Sequence, residues 1–257
     1  MATEEELAEV RPRLLGMIDE SRIRTTRIPR PDRAVIEAFL GITDLCSSVS
    51  DALDELGVGG AVPAGCLGPV IAGVRACGPA ITLRYVPVGG SVGARYARDE
   101  RPLLADRDLY GVGQPGDVAV LSSDAGPGIS VLGGLSATWA HRVGIAACVV
   151  SGGVRDIGTI RAIGQPVWSS GRTPITGRHR VEAVEINGVV DLLGVAVHPG
   201  DLVLADDTGV CVVPNHAIGD VLERCLASEA AESTVLSMLR GGQDVSSIIE
   251  VLPAHRW

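Results

Sequence analysis

The stretch Gly116–Asp156, GDVAVLSSDAGPGISVLGGLSATWAHRVGIAACVVSGGVRD, decides the fold. Gly116-Asp117 turns the chain into a short apolar strand, Val118–Leu121, which runs into the glycine-rich segment Asp124–Gly134. Glycines there let backbone N–H groups approach a ligand closely. Leu135, Trp139 and Val143 then recur at helical spacing, and Ile145–Val150 reads as a buried strand. Strand, glycine loop, helix, strand predicts an α/β layered domain, with doubly wound nucleotide folds as the rival architecture. The last strand delivers Ser151-Gly152-Gly153-Val154-Arg155-Asp156, so a guanidinium and a carboxylate emerge together at a strand end, where α/β proteins place their sites.

Toward the N-terminus, residues 1–42 are charged and arginine-dotted, with a helical pattern near Glu4–Ile18, a break at Pro29-Arg30-Pro31 and a further turn or two at Ala34–Leu40. They are expected to form an N-terminal helical arm ahead of one α/β domain over residues 43–257. Within that domain, Ser48–Leu56 has a helical pattern stopped by Gly57, and Gly78–Val86 alternates as a strand does. Toward the C-terminus, a second Pro-Gly-Asp turn, Pro199–Asp201, precedes the strand Leu202–Ala205. Asp206–Gly209 turns it into Val210–Val213, and Ala217–Leu239 is expected to be a long amphipathic closing helix. The two Gly-Asp turns hint at related halves.

Composition narrows the chemistry. At 257 residues and 46% hydrophobic content the chain can bury a large core. A formal charge of -9 with 3% aromatic residues argues against a nucleic-acid partner, which would need a basic face and stacking rings. All 22 basic residues are arginine, so lysine imine chemistry, pyridoxal phosphate and a Walker-type phosphate loop are excluded. Met1–Glu20 is acidic and lacks the apolar centre of a signal peptide, and no apolar run approaches the ~20 residues of a membrane helix. A cytoplasmic chain with no membrane partner is expected. The six cysteines show no C-x-x-C and no zinc-ligand spacing, and are expected to be reduced and mostly buried.

Several motifs do not survive inspection. Gly111, Gly113 and Gly116 spell G-x-G-x-x-G, yet they precede a strand, and Pro115 removes a donor where a phosphate would need one. His141, His179, His198, His216 and His255 lack metal-ligand spacing, and no G-x-S-x-G elbow occurs. For Arg155-Asp156 two readings stand. Asp156 caps a helix at Ile157–Ile163 while Arg155 makes a surface pair, or the carboxylate holds Mg²⁺ or Mn²⁺ while the arginine receives a carboxylate or an oxyanion.

The chain from about Ser48 to Pro214 resembles the RraA-like and 4-hydroxy-4-methyl-2-oxoglutarate aldolase family. The pieces that match, in order, are Ser50-Asp51-Ala52-Leu53, Gly78–Thr82, Pro115–Val118, Gly152–Asp156, Gln165-Pro166-Val167, Pro199-Gly200-Asp201 and Asp207–Val210. The resemblance implies an RraA-like swivelling β/β/α layered fold, flanked here by an N-terminal helical arm and a C-terminal helix. It also implies trimers or hexamers with sites between subunits, and metal-dependent lyase chemistry on a small 2-oxo acid. Asp156 would hold Mg²⁺ or Mn²⁺, and Arg155 would bind the acid and its enolate. The backbone at Gly133, Gly134, Leu135 and Ser136 would receive a carboxylate at a helix N-terminus. A neighbouring subunit would add Glu229 or Glu232. The family's aldolases carry an acidic residue twenty-one positions before the arginine, which is Gly134 here. Asp124, earlier in the same loop, is the candidate substitute. That departure weakens retro-aldol cleavage, which needs a base, more than decarboxylation, which needs only an enolate stabiliser. The family also includes non-catalytic regulators of ribonuclease E, and these are the alternative reading.

Overall fold

The computed structural model describes residues 1–251. The N-terminal segment carries α1 (Glu4–Val10) and, beyond 3₁₀ turns at Arg11–Arg13 and Glu20–Arg22, α2 (Arg33–Gly41). Next come α3 (Leu45–Leu56), β1 (Gly60–Pro63), the two-residue β2 (Gly68–Pro69) and the long β3 (Ala76–Pro87). Helices α4 (Val92–Ala97) and α5 (Asp106–Val112) precede β4 (Val118–Ser123), β5 (Ser130–Leu132), α6 (Gly134–Arg142), β6 (Ala147–Val154), α7 (Ile157–Ile163) and β7 (Val167–Arg172). The remaining strands are β8 (Val181–Ile186), β9 (Val190–Leu192), β10 (Val195–Val197), β11 (Leu202–Asp206) and β12 (Gly209–Val213), followed by α8 (Ile218–Arg240) and α9 (Val245–Val251).

One strand joins two sheet halves. The first residues of β3, Ala76–Pro79, pair antiparallel with β11, which continues to β12 and β1. From Ala80 onward β3 pairs in parallel with β4, which leads through β6 to β7. Period-two alternation then sorts the core. Ala119 and Leu121 face the helices, whereas Val118 and Val120 face a central layer shared with Val203, Ala205, Val210 and Val212. Leu202, Leu204, Cys211 and Val213 point the other way, under α3 and α8. The result is two facing sheet halves with helices on both outer sides, a layered α/β architecture. Trp168 is fully buried between the halves and donates its indole N–H to the Asp206 carbonyl at 2.8 Å.

The two Pro-Gly-Asp turns are built alike. Gly116 and Gly200 have φ of +93° and +90°, and Asp117 and Asp201 each accept the N–H of the residue three earlier at 2.8 Å. They launch β4 and β11, two of the three strands that pair with β3, the third being β8.

Residues 1–42 are tied into the same core. Leu7, Val10, Ile18 and Ile23 pack with the helix-facing side of the parallel sheet. The predicted long helix stops at Val10, and the chain from Leu15 to Ile18 instead gives three N–H groups to the buried carboxylate of Asp108. Arg30 makes a bidentate pair with buried Asp117, at 2.9 and 2.8 Å.

Two helices differ from their expected roles. On α6 the stripe Leu135, Trp139 and Val143 is exposed, and the buried face is Ser136, Ala137 and Ala140. On α8 only Ile218, Val221, Cys225 and Val235 are buried, while Leu226, Leu236 and Leu239 face solvent. That helix is not amphipathic along its length, because its later turns carry a single buried residue. All six cysteines are free, five of them buried. Among the described residues no helix is long and apolar enough to cross a membrane.

Candidate active site

Strand β6 ends under the glycine loop. A Cβ on Gly153 would lie 2.6 Å from the Pro127 carbonyl oxygen and 2.8 Å from that of Ile129, so only glycine lets the loop cross the strand. Beyond it the Arg155 N–H donates to the Leu132 carbonyl at 3.0 Å, which fixes where the two charged side chains leave the strand.

Asp156 sits at the N-cap of α7 in the left-handed region, φ 56° and ψ 41°, and makes no side-chain cap there. Such a conformation costs roughly 1–3 kcal/mol for a residue with a side chain. Its carboxylate points instead at the neighbouring helix. Oδ2 accepts the Gly134 N–H, the first of α6, at 2.9 Å and lies 3.5 Å from Arg155 Nε. A helix N-terminus favours negative charge. The helix-capping reading of Asp156 therefore fails in its simplest form.

Gly133 and Gly134 allow this closeness. A Cβ on Gly133 would lie 2.8 Å from Asp156 Oδ2 and 3.1 Å from Arg155 Nε, and one on Gly134 would lie 3.0 Å from Thr159 Cβ and 3.1 Å from Asp156 Cβ. The space that an acidic side chain at position 134 would enter is thus partly filled by α7.

The resulting cavity, about 80 Å³, is bordered by Arg155, Asp156, Gly133, Leu135 and Ser136. First-turn N–H groups have no partners within their own helix, so those of Leu135 and Ser136 are available beside it. Arg107 and Arg178 also line the cavity, so three arginines surround it. The Nε of Arg107 is buried without a partner.

Asp106 lines the same cavity and is 4% exposed. Burial pushes its carboxyl above the usual carboxylate range, against the Ser136 hydroxyl and the Arg107 charge, which pull it down. The Tyr110 hydroxyl extends the cluster, 3.0 Å from Ser136 Oγ. Sequence reasoning missed Asp106, Arg107 and Arg178. A signal existed for the first: Asp106 shares α5 with buried Leu109, Tyr110 and Val112, a charged residue among core positions.

The other candidates lie elsewhere. Asp124 borders a separate cavity of about 470 Å³ with Ser122, Ser123 and Ser151, and its carboxylate pairs with Arg84 at 2.9 Å. It is not brought to Arg155, because β5 intervenes and pairs alongside β6. Glu229 and Glu232 lie on α8 in a groove with Thr43 and Arg240, where Glu229 accepts from the Thr43 hydroxyl. Neither glutamate reaches the Arg155 cavity within the chain. Among the histidines, His179 is buried edge-on to Tyr96 at 4.5 Å, His198 lies 3.4 Å from Asp201, and His255 is outside the described residues.

The RraA-like family model, Aldolase/RraA, matches residues 46–212. The chain belongs to the RraA-like family. Among its relatives, protein DlpA of Legionella pneumophila is 28% identical over 209 residues, which is 80% of this chain and 32% of DlpA. A Halalkalibacterium halodurans protein provisionally named 4-hydroxy-4-methyl-2-oxoglutarate aldolase is 32% identical over 116 residues, 45% of this chain and 55% of that one. The chain thus spans about a third and about half of these two relatives. In three dimensions it is similar to Streptomyces coelicolor RraAS2, an unusual member of the RNase ES inhibitor RraA protein family, with a TM-score of 0.67 and 27% identity over 81% of this chain and 98% of that one. The RraA-like match spans the parallel strands, the Arg155-Asp156 turn and both Pro-Gly-Asp turns.

Proposed function

We propose that this RraA-like chain is a divalent-metal-assisted C–C lyase acting on a small 2-oxo acid through a pyruvate-type enolate. The observation that supports it is the convergence at one cavity of Arg155, Asp156 and the open first turn of α6. A guanidinium fork and helix N–H groups recognise a carboxylate, and the same donors stabilise an oxyanion as it develops. Arg107 and Arg178 favour an acid with a further anionic group.

The donor set fits a largely hydrated cation. Asp156 Oδ1 takes no hydrogen bond among the described residues, and Mg²⁺ is commonly held by one or two carboxylates with several waters. Among those residues no group of three or more histidine, cysteine or acidic side chains could cage a metal. Asp156 would therefore be the chain's own ligand to Mg²⁺ or Mn²⁺, and Glu229 or Glu232 of a neighbouring copy in a trimer or hexamer would add another. Such a cation would supply Lewis-acid polarisation of the keto oxygen. The protein's own share is to bind and orient. Arg155 takes the substrate's carboxylate or enolate oxygen, the N–H groups of Leu135 and Ser136 hold the acid in register, and the Asp156–Gly134 contact locks the turn.

The test is a pyruvate-release screen over 4-hydroxy-2-oxo acids and oxaloacetate, with and without Mg²⁺ after exhaustive chelation. Release that depends on the cation is expected. Release that survives chelation refutes the mechanism, and no release from any substrate leaves the regulator reading in its place.

A further inference from the structure

We propose that Asp106 is the catalytic proton-transfer group of this cavity, the role left open by glycine at position 134. The inference rests on the enolate reading above and adds to it. Asp106 borders the same cavity as Arg155 and Asp156, yet it reaches it from a different element, the first turn of α5. Its position is fixed by its neighbours. Ser136 on α6 borders the same cavity, and its hydroxyl pulls the Asp106 ionisation down, while Arg107 Nε stands 3.8 Å from Oδ2, an ion pair too long for a hydrogen bond. Burial raises the ionisation of this carboxyl above the ordinary carboxylate range, which makes it a stronger base than a solvated aspartate once it has ionised. Asp124, the substitute suggested by sequence, is held by Arg84 at another cavity.

The proton balance closes on this one group. As the C3–C4 bond of a 4-hydroxy-2-oxo acid breaks, the Asp106 carboxylate takes the C4 hydroxyl proton. The bonding pair stays on the pyruvate fragment as its enolate, and the other fragment leaves as a carbonyl compound. Protonated Asp106 then returns the proton to C3, which becomes the methyl group, and the carboxylate is restored. In decarboxylation of an oxaloacetate-like acid only the second transfer occurs, and water re-protonates the residue. The charged groups around Asp106 are settled: Arg107 stabilises its anion, Asp108 on the same helix opposes it, and Arg155 and Arg178 are cations across the cavity. Tyr85, Tyr110 and Cys148, packed behind it, are kept neutral by burial.

The experiment follows exchange of pyruvate methyl protons for deuterium in D₂O with Mg²⁺ by NMR, alongside calorimetric binding of oxalate, which mimics the enolate. The wild-type chain exchanges, and the rate rises with pH through the Asp106 ionisation. In Asp106→Asn the exchange rate falls about 10²-fold or more while oxalate affinity stays within about threefold of wild type. Ser136→Ala keeps the backbone N–H but removes the hydroxyl that lowers the Asp106 ionisation, so the pH limb moves upward, a shift that a merely structural residue would not cause. Undiminished exchange in Asp106→Asn, oxalate affinity lost in parallel with exchange, or an unmoved limb in Ser136→Ala overturns the assignment. Absence of exchange in the wild-type chain overturns the enolate reading instead, and this inference with it.

Discussion

Replacing Gly134 with alanine tests whether the approach of α6 to α7 sets the active-site turn. The new Cβ would sit 3.0 Å from Thr159 Cβ, 3.0 Å from Thr159 Cγ2 and 3.1 Å from Asp156 Cβ. Optimal carbon contacts lie at about 3.5–4.0 Å, so each of the three is too short by roughly 0.5 Å or more. Overpacking of this kind costs about 1–3 kcal/mol. Alanine's advantage over glycine, at most about 1 kcal/mol in a helix interior, is smaller at a first turn and offsets part of it. A net loss of about 1–2 kcal/mol lowers the midpoint of thermal unfolding by about 2–8 °C for a domain of this size. Thr159→Gly removes two of the three contacts, so in a double-mutant cycle the pair is expected to be less destabilised than the sum by about 1 kcal/mol. Additivity to within about 0.3–0.5 kcal/mol would refute the steric argument. Gly134→Asp carries the same crowding, so a gain in retro-aldol rate is expected only once Thr159 has been trimmed.

Three further outcomes are expected. Arg155→Lys keeps the charge but loses the fork, and Asp156→Asn keeps the shape but loses the anion, so each lowers kcat/KM for pyruvate release by about 10²-fold or more; wild-type kinetics in either would misplace the site. For Asp106, burial raises the folded-state value, so the folded chain holds a proton that the unfolded chain has released, and stability falls as pH rises from the ordinary carboxylate value toward the folded one. Asp106→Asn removes that dependence, and its urea midpoint relative to wild type should rise as pH increases above the ordinary carboxylate range; a constant difference would contradict it. Arg30→Ala leaves the buried Asp117 carboxylate without its bidentate partner and should cost about 3 kcal/mol by denaturant titration, the low end for one half of a buried pair.

Much of this was legible in the residues. Strands β4, β6 and β11 are runs of apolar side chains behind turn signals, and α7 begins and ends where Asp156 and Gly164 place it. Strands β9 and β10 were not, because three residues carry too little pattern. The α6 stripe shows a limit of periodicity, which identifies a face without saying whether it is buried: small residues on the opposite face let the helix lie close to the sheet. Asp124 shared a loop with Gly134 in sequence, but β5 threads between them. Asp106 was hidden for the opposite reason. A charged residue at the start of a helix ordinarily reads as a solvated end, and only the packing of α6 and β3 around it makes it an interior group.

Helix α5 has seven residues and holds two buried carboxylates with different owners. Asp106 faces the cavity, while Asp108, two positions on, is held by the N–H groups of Leu15, Met17 and Ile18, some ninety residues away in the chain. A helix this short has little stiffness with which to insulate one from the other. Loss of the chain through Ile18 would leave every cavity residue in the polypeptide and yet remove all three N–H groups that hold Asp108. Under the proposed function, substitutions in residues 15–18 would therefore be felt in turnover, although none of them borders the cavity.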